Sequence, residues 1–76
     1  MMITNQQANI INYIVICIND FAERFNFDAK TAYLFLTQYG GIEFLMEYYD
    51  IEHTLSLDDA IDDLEMVCRQ NGGFLE

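Results

Sequence analysis

The one histidine of the chain, His53, closes the stretch EYYDIEH that begins at Glu47, and Asp50 stands three residues before it. On a helix, residues three and four apart share a face. Glu47, Asp50 and His53 therefore describe an oxygen, oxygen, nitrogen set that could hold a divalent cation. Carboxylate and histidine sites in helical bundles draw such motifs from more than one helix, and this chain has no second histidine to contribute. The same spacing suits a helix end, where His53 would meet the free carbonyls of the last turn and Asp50 would stabilise its charged form. The sequence favours the helix end, and no metal is expected.

The densest run of carboxylates, DDAIDDLE from Asp58 to Glu65, lacks the central glycine and ligand order of a twelve-residue calcium loop. Its apolar spacing is helical, so it reads as a solvated face. Cys17 and Cys68 lie far apart, with no neighbouring cysteine or histidine at zinc-ligand spacing. Each falls inside an apolar helical pattern and is expected as a buried thiol. No base accompanies them in sequence, and neither a nucleophile elbow nor a glycine-rich phosphate cradle occurs. The expectation is no catalysis and no cofactor.

Charge is unevenly placed. Up to Ile42, three acids face two bases and leave −1; from Glu43 onward, ten acids face Arg69 alone and leave −9. Such a field repels nucleic acid and anionic membrane and attracts a basic protein surface. The apolar run IINYIVICI is too short to span a bilayer and is broken by Asn12. The start MMITNQQAN has no basic region ahead of that run, so a secretory signal is not expected and a cytoplasmic location is.

The elements that position these residues read as helices throughout. With 76 residues, residues 1–76 make one domain, and folding buries about 60% of the surface of an unfolded chain of this size, so each large apolar side chain matters. Proline is absent, which makes long helices easy to accommodate. Helical spacing of Ile10, Ile14, Cys17, Phe21 and Phe25, flanked by a second stripe of Ile11, Val15, Ile18 and Ala22, predicts a nearly surrounded first helix at about 5–25. Asn26 can end it in the left-handed conformation, and Asp28 can cap the second helix, 28–39, which Gly40 stops. The third, 42–53, carries one stripe of Ile42, Leu45, Met46 and Tyr49 and another of Phe44, Tyr48 and Ile51, which predicts two packing neighbours. Ser56 caps the fourth, 57–71, with Asp58 and Asp59 at the positive end of its dipole. Phe74 and Leu75 beyond it either fold back or stay loose. The fold class is an all-α bundle of four helices with short connections.

Across Ile14 to Gly72, the pattern of CIND in the first helix, YG ending the second, YYDIEHT ending the third and AIDDLE in the fourth resembles the short bacterial proteins of domain-of-unknown-function family 3791. Its most specific elements are Tyr49, Asp50, His53 and Thr54, followed by Ile61, Asp63 and Leu64. The chain departs from the pattern at Glu52, where the family usually has leucine, and at Asn19, where it often has glutamate. The resemblance implies a small helical protein without known catalysis, often encoded beside a protein that looks like an ADP-ribosyltransferase toxin, and so an antitoxin or immunity-like role. Tyr49, Asp50, His53 and Thr54 are then expected to fix the turn between the third and fourth helices, with Asp63 reaching the same corner.

These readings converge on a protein-protein interaction module. Glu43, Glu47, Asp62 and Glu65 are the expected partner-facing carboxylates, since they lie away from caps and apolar stripes. Two rivals stand beside it. One is a structural homodimer sharing the isoleucine-rich first helix, and the other is an acidic DNA mimic acting as an inhibitor.

Overall fold

Most helix boundaries are set by one side chain or one left-handed residue. In the computed structural model, which describes residues 4–75 and leaves 1–3 and 76 outside the described residues, the chain begins with a reciprocal cap. The Thr4 hydroxyl accepts from Gln7 N (3.1 Å) while Gln7 Oε1 accepts from Thr4 N (3.0 Å), satisfying two amides that a helix start leaves free. Helix α1 then runs Asn5–Phe25. Asn26, at φ 58°, ends it in the left-handed region, and Phe27 N closes onto Ala22 O at 2.8 Å.

Two residues on, the Asp28 carboxylate accepts from Thr31 N (2.7 Å) and opens α2, Ala29–Gln38. That bond holds the Asp28 carboxyl below its usual range. Gly40, at φ 80°, turns the chain into α3, Gly41–Glu47. A side chain at Gly41 would bring Cβ within 2.7 Å of Leu36 Cδ2 and 3.4 Å of Cys68 Sγ, so it would have to push Leu36 aside where the three helices meet. Ser56 Oγ accepts from Asp59 N (3.1 Å) and starts the last helix, Leu57–Gln70. The expected caps at Asn26, Asp28 and Ser56 are therefore present.

The third expected helix, 42–53, is not continuous. Tyr48, at φ −108° and ψ 21°, separates α3 from a four-residue turn of helix, α4, Tyr49–Glu52, which makes the Leu57–Gln70 helix α5. No proline or glycine causes the break. Its effect is to swing Tyr49 and Glu52 inward and leave Tyr48 and Ile51 outside.

Helix α1 packs against α2, α3 and α5, and α3 also packs against α2 and α5. Its 21 residues, about 31 Å at 1.5 Å per residue, set the long dimension of a 38 × 23 × 20 Å body. The core joins Cys17, Phe21 and Ala22 of α1, Ala32 and Leu36 of α2, Leu45 of α3, and Ile61, Leu64 and Cys68 of α5. Phe21 lies at its aromatic centre, 4.7 Å from Phe25 and 5.9 Å from Phe35 between ring centroids. Of the tail, Leu75 folds back and is buried while Phe74 is exposed. Gly73 N donates to Cys68 O (2.7 Å) and Arg69 Nη2 to Leu75 O (3.0 Å), which fixes that return.

Two burial expectations need correction. The first helix is not nearly surrounded, because Ile11, Val15 and Ile16 are each about half exposed. On α3 and α4, Met46, Tyr48 and Ile51 of the expected apolar stripes are exposed, although α3 does have packing neighbours in α1, α2 and α5. A bundle this small leaves part of each of these helices uncovered.

Candidate functional site

The corner between α4 and α5 is where the chain concentrates its polar chemistry. The Tyr49 ring meets Tyr13 of α1 edge to face, with centroids 5.5 Å apart, and stacks on the His53 ring at 4.4 Å. His53 Nδ1 donates to the Tyr49 carbonyl (2.6 Å), and the Thr54 hydroxyl donates to the Ile51 carbonyl (2.6 Å). These bonds occupy carbonyls that a helix end leaves free. Tyr49, His53 and Thr54 thus come together at the turn into α5. Asp50 does not join them: it is exposed, and no ion pair links it to His53 among the described residues.

The residue the sequence reading missed is Glu52. It is only 4% exposed, the one buried charged side chain among the described residues, and its Oε1 has no hydrogen-bond partner. Asp63 of α5, half-buried, acts on it through its charge. Burial, together with the neighbouring charge of Asp63, pushes the Glu52 carboxyl up to about 7. From α1, the Tyr13 hydroxyl faces the same space, also buried and unpaired, beside the Cys17 thiol but without acceptable hydrogen-bond geometry to it. Burial raises the Tyr13 hydroxyl above its ordinary range and pushes the Cys17 thiol up to about 11. Cys68 is likewise pushed up to about 11 by burial. Both thiols stay protonated near neutrality and are poor nucleophiles.

One signal for Glu52 was available. Ile42, Leu45, Tyr49 and Glu52 follow spacings of 3, 4 and 3, so the glutamate occupies the next position of the inward stripe.

The four expected partner-facing carboxylates divide into two kinds. Asp62 is held by Arg24 Nη1, and Arg24 Nη2 also reaches Asp58, donating to its carbonyl (3.1 Å). Glu65 pairs with Arg69 Nε (2.9 Å) one turn along α5. Asp62 and Glu65 are therefore not free, whereas Glu43 and Glu47 are exposed and make no ion pair among the described residues.

Among the described residues, no group of three or more histidine, cysteine, aspartate or glutamate side chains is placed to hold a metal ion, and no helix is long and apolar enough to cross a membrane. A cleft of about 300 Å³ beside the tail is lined by Phe25, Phe27, Phe74 and Leu75 alone, with no polar side chain to orient a ligand.

The family model described as "Protein of unknown function (DUF3791)" matches residues 12–71. The chain belongs to this family. The DUF3791 match takes in Tyr13, the α4 corner and Asp63, and leaves outside it the first turns of α1 and the returning tail. No curated protein and no solved structure matches the chain.

Proposed function

We propose that the chain is a non-catalytic protein-binding module of the bacterial cytoplasm whose partner carries a basic surface and is neutralised by occlusion. The observation that carries this reading is the outer face of α3 and α4. There Met46 (58% exposed), Tyr48 and Ile51 (61% exposed) stand among the exposed carboxylates of Glu43, Glu47 and Asp50. Apolar side chains interleaved with unpaired charge of one sign suit an interface in which carboxylates steer the encounter and apolar contacts hold the complex. The −9 carried from Glu43 onward strengthens that steering. The toxin-neutralising form of the reading comes from the family resemblance, under which the partner is an ADP-ribosyltransferase-like toxin.

Capture from the native cell, identification of the partner and association kinetics at low and high salt test the reading. A basic partner whose association slows with salt, and slows again in a Glu43→Lys, Glu47→Lys variant, supports it. An acidic partner, or unchanged association by the variant, overturns it.

A second reading has its own observation. Ile11 and Val15, one turn apart on α1, are each 49% exposed, and a homodimer joined there would bury them. Sedimentation at high salt separates the two, since an apolar dimer persists where a steered acidic complex weakens.

A further inference from the structure

Helix α1 has 21 residues and the next longest helix, α5, has 14. The buried residues of α1 are Cys17, Phe21 and Ala22, and none of the described residues before Cys17 is buried. Ala8, Ile11, Val15, Ile18 and Ala22 recur at alternating spacings of 3 and 4, the seam by which one helix packs along another. The bundle covers one end of that seam only: Ala22 is buried and Ile18 packs against the core, while Ile11 and Val15 stay 49% exposed. The core thus continues along α1 into solvent. Charge decides what suits it there. From Thr4 to Asn19 the chain has no Asp, Glu, Lys or Arg, in a protein of net charge −10. A basic partner finds no carboxylate on this segment. Beside the seam stand Asn5, Asn12 and Asn19, all exposed and one heptad apart. An amide both donates and accepts, so such a flank is complementary to itself.

We propose that the uncovered seam pairs with the same seam of a second copy of this chain, the two α1 helices running antiparallel about a two-fold axis midway between Ile11 and Val15; the arrangement deepens the homodimer reading above and rests on it. That axis sets Ile11 against the second copy's Val15 and the small Ala8 against its larger Ile18. On the flank, Asn12 lies near its own copy and Asn5 near the second copy's Asn19. Direction follows from charge. Asp20 is the first charged side chain along α1, and antiparallel pairing holds the two Asp20 residues about 21 Å apart along the axis, beyond a Debye length of about 8 Å at physiological salt. Parallel pairing would set them, and the acidic bodies behind them, side by side. The seam is short, so the dimer is weak, and added salt strengthens it by screening the repulsion that remains.

Sedimentation equilibrium of the whole chain over a concentration series, at low and high salt, reads the association, and thiol cross-linking reads its direction. The wild type is expected to dimerise, more tightly at high salt. Val15→Asp, at an exposed position, should weaken dimerisation by about tenfold or more with helical circular dichroism unchanged, because it places a charge in the seam. Met66→Asp, at an exposed position of α5, should leave dimerisation as it is. Cys17 and Cys68 are buried, so a cysteine introduced on the flank is the thiol open to a short bismaleimide. A mixture of Asn5→Cys and Asn19→Cys chains should cross-link, and Asn5→Cys alone should not. A monomer at every concentration, or a dimer that Val15→Asp leaves intact, overturns the homodimer reading and the proposal with it. A dimer lost in Val15→Asp whose Asn5→Cys chains cross-link to each other overturns the antiparallel arrangement alone.

Discussion

The imidazole of His53 lies flat against the phenol ring of Tyr49, with planes within 10° and centroids 4.4 Å apart, while its Nδ1 donates back to the Tyr49 carbonyl. One residue thus covers the ring that docks on Tyr13 and ties off the end of the turn that carries it.

Replacing His53 with alanine should therefore cost stability, on the order of 1 kcal/mol, because it removes the ring stacked on Tyr49 and the bond that closes the turn. Urea denaturation of wild type and His53→Ala checks this. A variant as stable as wild type would show that the ring serves no anchoring role.

Global stability should carry the signature of Glu52. Its carboxyl moves from an ordinary 4.5 to about 7 on folding, so between those values the folded chain holds a proton that the unfolded chain has released. Stability from this group is full below 4.5 and falls as pH rises to about 7, with a slope of up to ~1.4 kcal/mol per pH unit for one proton. Asp28 acts in the opposite direction, since its lowered carboxyl stabilises the fold above the unfolded value and that gain is lost as pH falls. The clean quantity is the difference between wild type and Glu52→Gln, which should grow across the window in favour of the variant and then level off.

Core and surface should separate sharply between two neighbouring residues of α1. Phe21 is fully buried against Phe25, Phe27 and Phe35, so Phe21→Ala is expected to cost about 3–5 kcal/mol. Arg24, which bridges α1 to Asp58 and Asp62 across exposed surface, should cost under about 1 kcal/mol on replacement by alanine, and less in high salt. Comparable losses from the two substitutions would mean that the ion pairs, rather than the aromatic centre, hold α1 to the bundle.

On the binding face, Glu43→Lys with Glu47→Lys should lower the association rate, whereas Ile51→Ser should chiefly raise the dissociation rate, because charge steers encounter and apolar contact holds the complex. Surface plasmon resonance with the captured partner resolves the two. Both variants should keep the helical circular dichroism of the wild type, since none of the three residues is buried.

Much of the architecture was legible without coordinates because it depends on local chemistry. Asn26 in the left-handed region, Asp28 accepting from Thr31, and Ser56 accepting from Asp59 act within four residues of chain, and the inward positions of α2 and α5 follow from the 3.6-residue period. Tertiary structure alone decided the rest. The break at Tyr48 has no breaker residue to announce it, and the exposure of Ile11, Val15, Met46 and Ile51 depends on how few neighbours a bundle of this size can offer. Glu52 shows the limit most clearly. Its spacing placed it on an inward stripe, but whether a carboxylate there stays charged depends on Asp63 and Tyr13, which lie 11 residues later and 39 earlier and come close only when α5 and α1 close on α4. Local propensity acts through neighbours along the chain, whereas desolvation and charge repulsion act through neighbours in space.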